Sequence, residues 1–168
     1  IVRFKVVGED AYFLAWTTTP WTLPSNVALC VNPDEDYVKV TSKGYTYYMA
    51  AALVDTVLGE GAEVLEHYQG KDLEFKEYEP LFPYAEKRIG NKKAYYVVCD
   101  TYVTLTDGTG VVHIAPAFGE DDSKVGHRYD LPFVQLVNEK GEMTEETPWA
   151  GTFCKKADMA VLQALEDK

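Results

Sequence analysis

The stretch YVKVTSKGYTYYMAAALVDTVLGEG, Tyr37–Gly61, decides the fold class. Tyr37 to Thr41 and Tyr45 to Met49 are short β-rich runs on either side of SKG, which predicts a hairpin. Then the period changes. Leu53, Val57 and Leu58 fall on one helical face, and Gly59 with Gly61 stops the run. Strands are therefore the rule in this chain, and helices are short interruptions.

The same pattern extends outward in both directions. Val2 to Val7 alternates, GED turns, and Ala11 to Thr17 follows as an apolar and aromatic run: a second hairpin. Val27 to Val31 reads as a short buried strand. Downstream, strands are predicted at Glu63 to Tyr68 and Leu73 to Lys76, with YEPLFPY as a proline-bounded connector. AYYVVCD and VVHIAP are the most strand-like runs of the second half. A short helix is predicted after APAFGEDD, to Tyr129. PFVQLV reads as a strand and NEKGE as a turn. Lys155 to the end reads as an amphipathic helix with Ala157, Ala160, Val161, Ala164 and Leu165 inward. Strands do not alternate with helices in βαβ fashion, so a doubly wound nucleotide fold is disfavoured. The expected architecture is β-rich α+β, a central closed or nearly closed β-barrel with flanking helices.

The 168 residues suit one domain, 1–168, with a core that needs no disulfide or metal. Both ends read as cuts through a longer polypeptide, because no initiator methionine is present and the terminal helix lacks a stop signal. A hydrophobic content of 46% marks a globular chain, and no apolar run has the length of a membrane span. Cys30, Cys99 and Cys154 are far apart and odd in number, which fits free thiols in a reducing compartment. The net charge of −11 argues against holding nucleic acid by the overall field. One dense basic stretch, EKRIGNKK with Lys87, Arg88, Lys92 and Lys93, reads as a solvated turn or a local phosphate contact.

Two stretches stand out for chemistry. WTTTPWTLPSN, Trp16 to Asn26, crowds hydroxyls between two indoles and two prolines. It reads either as a well-capped turn or as the wall of a small polar pocket. In GTGVVHIAPAFGEDD, a strand delivers His113, breaks at Pro116, and leads to a helix whose first turn holds Glu120, Asp121 and Asp122. These acids complement the helix dipole and cap free N–H groups; alternatively, one of them faces a substrate ammonium. GTG at Gly108 is too short for a phosphate loop and reads as a turn opening the strand. His67, His113 and His127 lack metal-ligand spacing, and no nucleophile elbow occurs. A cysteine–histidine dyad has no local signature.

Together, WTTTPWTLPSNVAL and GTGVVHIAPAFGEDD resemble the two signature peptides of the editing domain of isoleucyl-tRNA synthetases, the first connective peptide insertion of these class I enzymes. YDLPFVQLVNEKGEMTEETPWAGTFCKKAD is similar to the downstream part of that domain. The HIGH and KMSKS signatures of the synthetic site are absent. Valyl and leucyl enzymes typically have arginine where this chain has Thr19. That residue, and Trp21 after the proline, favour the isoleucyl type.

The resemblance implies an aminoacyl-tRNA deacylase that releases valine from isoleucine tRNA, and that also acts on valyl-adenylate. By position, the family's threonine-rich peptide falls on Thr17, Thr18, Thr19, Thr22 and Asn26. The pocket histidine falls on His113, and the amino-group-binding aspartate on Asp122. The implied partners are the tRNA 3′ end carrying valine and the rest of the parent synthetase, in the cytoplasm, with no membrane and with the isolated domain a monomer. No cofactor is expected for editing, ATP belonging to the parent's synthetic domain. Most tRNA affinity is expected outside this acidic chain. The competing expectations are a non-catalytic β-barrel that binds a ligand without turnover, and the same chemistry in a valyl-type enzyme.

Overall fold

A computed structural model describes residues 2–17, 20–81, 94–105, 108–118, 120–132, 134–138 and 140–166. The chain divides into two compact units. The first comprises Ile1–Thr17, Ala28–Glu79 and Tyr95–Ile114; the second comprises Thr18–Val27, Pro80–Ala94 and Ala115–Lys168.

The first unit holds eight strands among the described residues: β1 (Val2–Lys5), β2 (Tyr12–Ala15), β3 (Ala28–Val31), β4 (Asp36–Ser42), β5 (Tyr45–Ala50), β6 (Glu63–Gln69), β7 (Tyr96–Cys99) and β8 (Val111–Ile114). Five form one sheet in the order β1-β2-β5-β4-β6, and three form another in the order β7-β3-β8. Both sheets are mixed: β2 runs parallel to β5, and β3 parallel to β7. Isolated bridges continue the pairing beyond the named strands. Trp16 pairs parallel with Val112, Val6 antiparallel with Tyr78, and Glu77 antiparallel with Tyr96.

Local chemistry explains the best-predicted elements. In the SKG hairpin Ser42 pairs with Tyr45, leaving two residues in the turn. Lys43 and Gly44 both take positive φ, 52° and 86°, the turn whose twist matches its strands. The predicted helix after Met49 is a 3-10 turn, Ala51–Leu53, leading into α1 (Val54–Leu58). Phe4 and Phe13 are fully buried, with Phe4 edge-on to Tyr78 at 5.3 Å and Phe13 against Tyr48 at 5.2 Å.

Two predicted strands are corrected. Leu73–Lys76 is not extended: a 3-10 turn covers Gly70–Leu73 and Phe75 has φ 70°. The cause is a capping box, in which the Gln69 N–H donates to Asp72 Oδ2 at 3.0 Å and ends β6. In PFVQLV only the last valine pairs, as an isolated bridge from Val137 to Met143, with Phe133 outside the described residues. Pro132 has no N–H to offer a ladder there.

The second unit carries a 3-10 helix over Pro20–Ser25, another over Pro116–Phe118, then α2 (Glu120–Tyr129) and α3 (Asp158–Glu166). The terminal helix opens with a 3-10 turn, Cys154–Ala157. Ala157 and Val161 are fully buried, while Ala160, Ala164 and Leu165 are half-buried. Val137, Met143, Cys154 and Ala157 form the core of this unit, with Trp21, Phe118 and Trp149 packed against it. Cys30, Cys99 and Cys154 are buried thiols that form no disulfide. No described helix is long and apolar enough to cross a membrane.

Candidate functional site

Both signature peptides contribute to both units. In the first unit, β2 ends at Ala15 and its extension carries Trp16 and Thr17. The parallel bridge from Trp16 to Val112 sets Thr17 and His113, one residue further along each strand, side by side in register. The strand that presents His113 is anchored at its start. The Thr109 hydroxyl donates to Leu14 O, and the Ala50 N–H donates to Thr109 O at 2.9 Å. Gly110 has φ 77°, and a Cβ there would lie 2.5 Å from Ala50 Cβ. Gly108 fits against Trp16, whose Cβ lies 3.0 Å from where a glycine Cβ would stand. Trp16 itself is 45% exposed. The GTG segment thus opens β8, as its sequence suggests.

His113 pairs with Leu29 of β3. Burial pushes its imidazole down to about 4, so it is neutral at pH 7. A neutral ring offers shape and one N–H but no charge to a substrate.

In the second unit, the threonine-rich peptide forms the Pro20–Ser25 3-10 helix. Thr22, Ser25 and Asn26 are all buried, and the Asn26 N–H closes the turn on Leu23 O at 3.0 Å. Trp21 anchors the helix twice. Its N–H donates to Asp158 Oδ1 at 2.9 Å, and its ring lies edge-on to Phe118 at 5.2 Å. Phe118 lies two residues ahead of Glu120, the start of α2. The Ser25 hydroxyl is buried and unpartnered among the described residues, a feature sequence reasoning passed over. Thr18 and Thr19 lie outside the described residues, as do Lys87, Arg88, Lys92 and Lys93.

Asp122 Oδ2 accepts the Ala115 N–H at 2.9 Å. The carboxylate therefore ties the end of the β8 peptide to the start of α2. The donor is a backbone N–H at the end of β8, seven residues upstream, and not one of the N–H groups of α2. α2 is held close to the same turn at Gly126, where a Cβ would stand 3.0 Å from Pro116. Burial raises the Asp122 carboxyl above its ordinary value, the Ala115 amide opposes this, and Asp121 adds to it. A half-buried anion supported by the backbone amides of Ala115 and of Asp122 itself still has acceptor capacity to spare for a cation.

Sequence reading treated the GED turn only as a turn, yet Glu9 is an ionic centre of the first unit. It accepts from Lys39 at 3.2 Å and Tyr48 at 2.7 Å, and pairs with Lys76. Burial alone would raise this carboxyl; donation from Lys76, Tyr48 and Lys39 holds it down at about 2.

Comparison with known proteins follows the same lines. No family model matches the chain. Isoleucine–tRNA ligase of Clostridium acetobutylicum is 51% identical over 99% of the chain, and that of Picrophilus torridus is 41% identical over 99%. The chain spans 16% of the length of these curated relatives. Among solved structures, GlLeuRS-CP1 matches 95% of this chain and 82% of its own, with a TM-score of 0.71 and 16% identity. The editing domain of cytosolic leucyl-tRNA synthetase from P. knowlesi matches 94% of this chain and 82% of its own, with a TM-score of 0.68 and 14% identity.

Proposed function

For a chain that matches isoleucine–tRNA ligases along its length and has the fold of the CP1 editing domain, we propose hydrolytic proofreading: release of valine from isoleucine tRNA, as part of a longer synthetase. The observation that carries the proposal is the end-to-end similarity to isoleucine–tRNA ligases combined with an editing-domain fold. The chemical need is general. Isoleucine and valine differ by one methylene, worth only about 1–3 kcal/mol in an apolar pocket; this amino-acid pair is the well-known illustration of that limit, and the figure belongs to the general case. A second, hydrolytic sieve that admits valine and excludes isoleucine removes the error.

The reaction is attack of water on the ester carbonyl, collapse of the oxyanion, and departure of the ribose hydroxyl with valine as the free acid. The ester is already activated, so positioned water and hydrogen-bond donors suffice, without a cofactor. Thr17, Thr18, Thr19, Thr22 and Asn26 orient water, carbonyl and terminal ribose. Threonine hydroxyls both donate and accept. His113, buried and neutral, borders the valine side chain and excludes the extra methylene. Asp122 holds the substrate ammonium. Valyl-adenylate is a second substrate of the same chemistry. The partners on this reading are charged tRNA in the cytoplasm and the rest of the synthetase, whose aminoacylation uses ATP.

The reading includes a nearly closed barrel in the first unit. The bridges Trp16–Val112, Glu77–Tyr96 and Val6–Tyr78 continue the pairing β2–β8–β3–β7 through residues 77 and 78 back to β1. Titrating the chain with non-hydrolysable valyl and isoleucyl esters of adenosine, followed by amide NMR shifts, tests the function. Selective binding of the valyl ester is expected. A chain that binds neither ester would overturn the proposal.

A further inference from the structure

A separate surface of the first unit combines aromatic rings with positive charge. Lys5 pairs with Tyr12 across β1 and β2, and Tyr12 pairs with Tyr47 across β2 and β5. Arg3 and Tyr45 are each two residues further along, so all five side chains share one sheet face. The three tyrosine rings form a cluster, with centroids 6.3 Å (Tyr12–Tyr45), 6.4 Å (Tyr12–Tyr47) and 6.3 Å (Tyr45–Tyr47) apart. The Arg3 guanidinium lies 5.2 Å from the Tyr12 centroid and 4.8 Å from that of Tyr45, and Lys5 Nζ lies 6.0 Å from Tyr12. Arg3 is exposed, and Tyr45 is 46% exposed.

The charge pattern is unusual for this chain. Acids outnumber bases, giving −11 overall, yet β1, β2 and β5 contain no acidic residue. The nearby Glu9 carboxylate is occupied by Lys39, Lys76 and Tyr48. Neither Arg3 nor Lys5 forms a salt bridge among the described residues. Lys5 Nζ donates to the carbonyls of Val6, at 3.3 Å, and Glu9, and Arg3 is hydrogen-bonded to Tyr45 and Tyr47, so both cations are held beside the rings without a neutralising carboxylate. A sheet face with partly exposed aromatic rings and such cations fits a ligand that carries both flat rings and negative charge. Unpaired nucleotides are such a ligand: bases stack on tyrosine or arginine planes, and phosphates meet the cations.

We propose that the Arg3–Lys5–Tyr12–Tyr45–Tyr47 face binds unpaired RNA nucleotides by stacking, at a surface distinct from the residues assigned to hydrolysis. The proposal does not depend on the deacylation reading, since none of these five residues belongs to it. Two cations give a shallow salt dependence. For single-stranded RNA the slope of log K against log salt is about −1.4, taking about −0.7 per phosphate neutralised.

The test is fluorescence anisotropy of the 168-residue chain with a labelled unstructured RNA of about eight nucleotides, at about 50 to about 200 mM salt. Expected results are measurable binding with that slope, weaker binding of a duplex of the same composition, and a loss of about tenfold in Tyr45→Ala. Arg3→Gln should weaken binding and flatten the slope. Because Arg3 is exposed, this variant keeps the test decisive if Tyr45→Ala melts early. Absent RNA binding, equal binding of duplex, or binding untouched by both variants would overturn the proposal. Self-association abolished by Tyr45→Ala, without RNA binding, would overturn it in favour of a second copy of this chain.

Discussion

Asp122 is assigned two tasks, and substitution can separate them. Its Oδ2 accepts the Ala115 N–H at 2.9 Å, a structural bond, while ammonium binding is the functional proposal. Asp122→Asn keeps an oxygen acceptor of the same shape and removes only the charge. Asp122→Ala removes both. Leaving the Ala115 amide unpaired costs about 1–3 kcal/mol, so the alanine variant should unfold measurably earlier. The asparagine variant should lose about 1 kcal/mol or less, the surplus of a charge-assisted bond over a neutral one. Hydrolysis should behave differently. A hydrogen bond to a charged group contributes about 1.5–3 kcal/mol, so Asp122→Asn should slow deacylation about tenfold to about a hundredfold. The assay is single-turnover release of labelled valine from mischarged isoleucine tRNA by a synthetase that contains this segment, with thermal melts of each variant alongside. An asparagine variant that deacylates at the parental rate refutes the ammonium role. One that melts as early as the alanine variant refutes the structural role of the Ala115 bond.

Two further outcomes follow from buried groups in the first unit. The unfolded chain protonates His113 near pH 6.5, but the folded chain only near 4. Stability is therefore full above pH 6.5 and is lost as pH falls toward 4, by about 3 kcal/mol across the window. Urea titrations from about pH 7 to about pH 4 should show that slope and its flattening in His113→Gln; equal slopes would refute it. Gly70 admits no side chain, since a Cβ would stand 1.9 Å from Asn32 O and 2.7 Å from the Asn32 carbonyl carbon. Both atoms are backbone, so Gly70→Ala should destabilise by about 3 kcal/mol. A loss under about 1 kcal/mol in chemical denaturation would show that the backbone can yield there.

How much was legible depended on whether the signal was local. The SKG hairpin and β8 were readable because period-2 runs lay next to their own turns. The run Leu73–Lys76 misled because its composition was strand-like, while a capping box just upstream redirected the backbone. PFVQLV misled in the same way: it is apolar because it is buried, but its pairing reduces to one bridge. The Pro20–Ser25 helix was illegible, since two prolines in six residues mask any helical period. Glu9 was unreadable for another reason. Its partners Lys39 and Tyr48 lie 30 and 39 positions away, and no local pattern encodes them. For the candidate site, residue types only drew attention to the two peptides, and their roles were what the resemblance implied. That Trp21 meets Phe118, and that Thr17 runs beside His113, came only with the fold.

The electrostatics of the proposed residues suit release as well as capture. A half-buried carboxylate is costly unless compensated, and Ala115 compensates Asp122 only in part. On the proposed role, a substrate ammonium would complete the compensation, so binding would relieve a cost already present in the folded protein. Hydrolysis then changes the ligand: the ester becomes a carboxylate on the same amino acid. The proposed neighbours of that new charge are threonine hydroxyls, an asparagine amide and a neutral imidazole, none of which carries a positive charge to retain it. Asp122 itself repels it. A lysine or arginine in the same role would stabilise the oxyanion more strongly, but would also hold the product carboxylate. Neutral donors give up some transition-state stabilisation, which an activated ester can spare, in exchange for turnover.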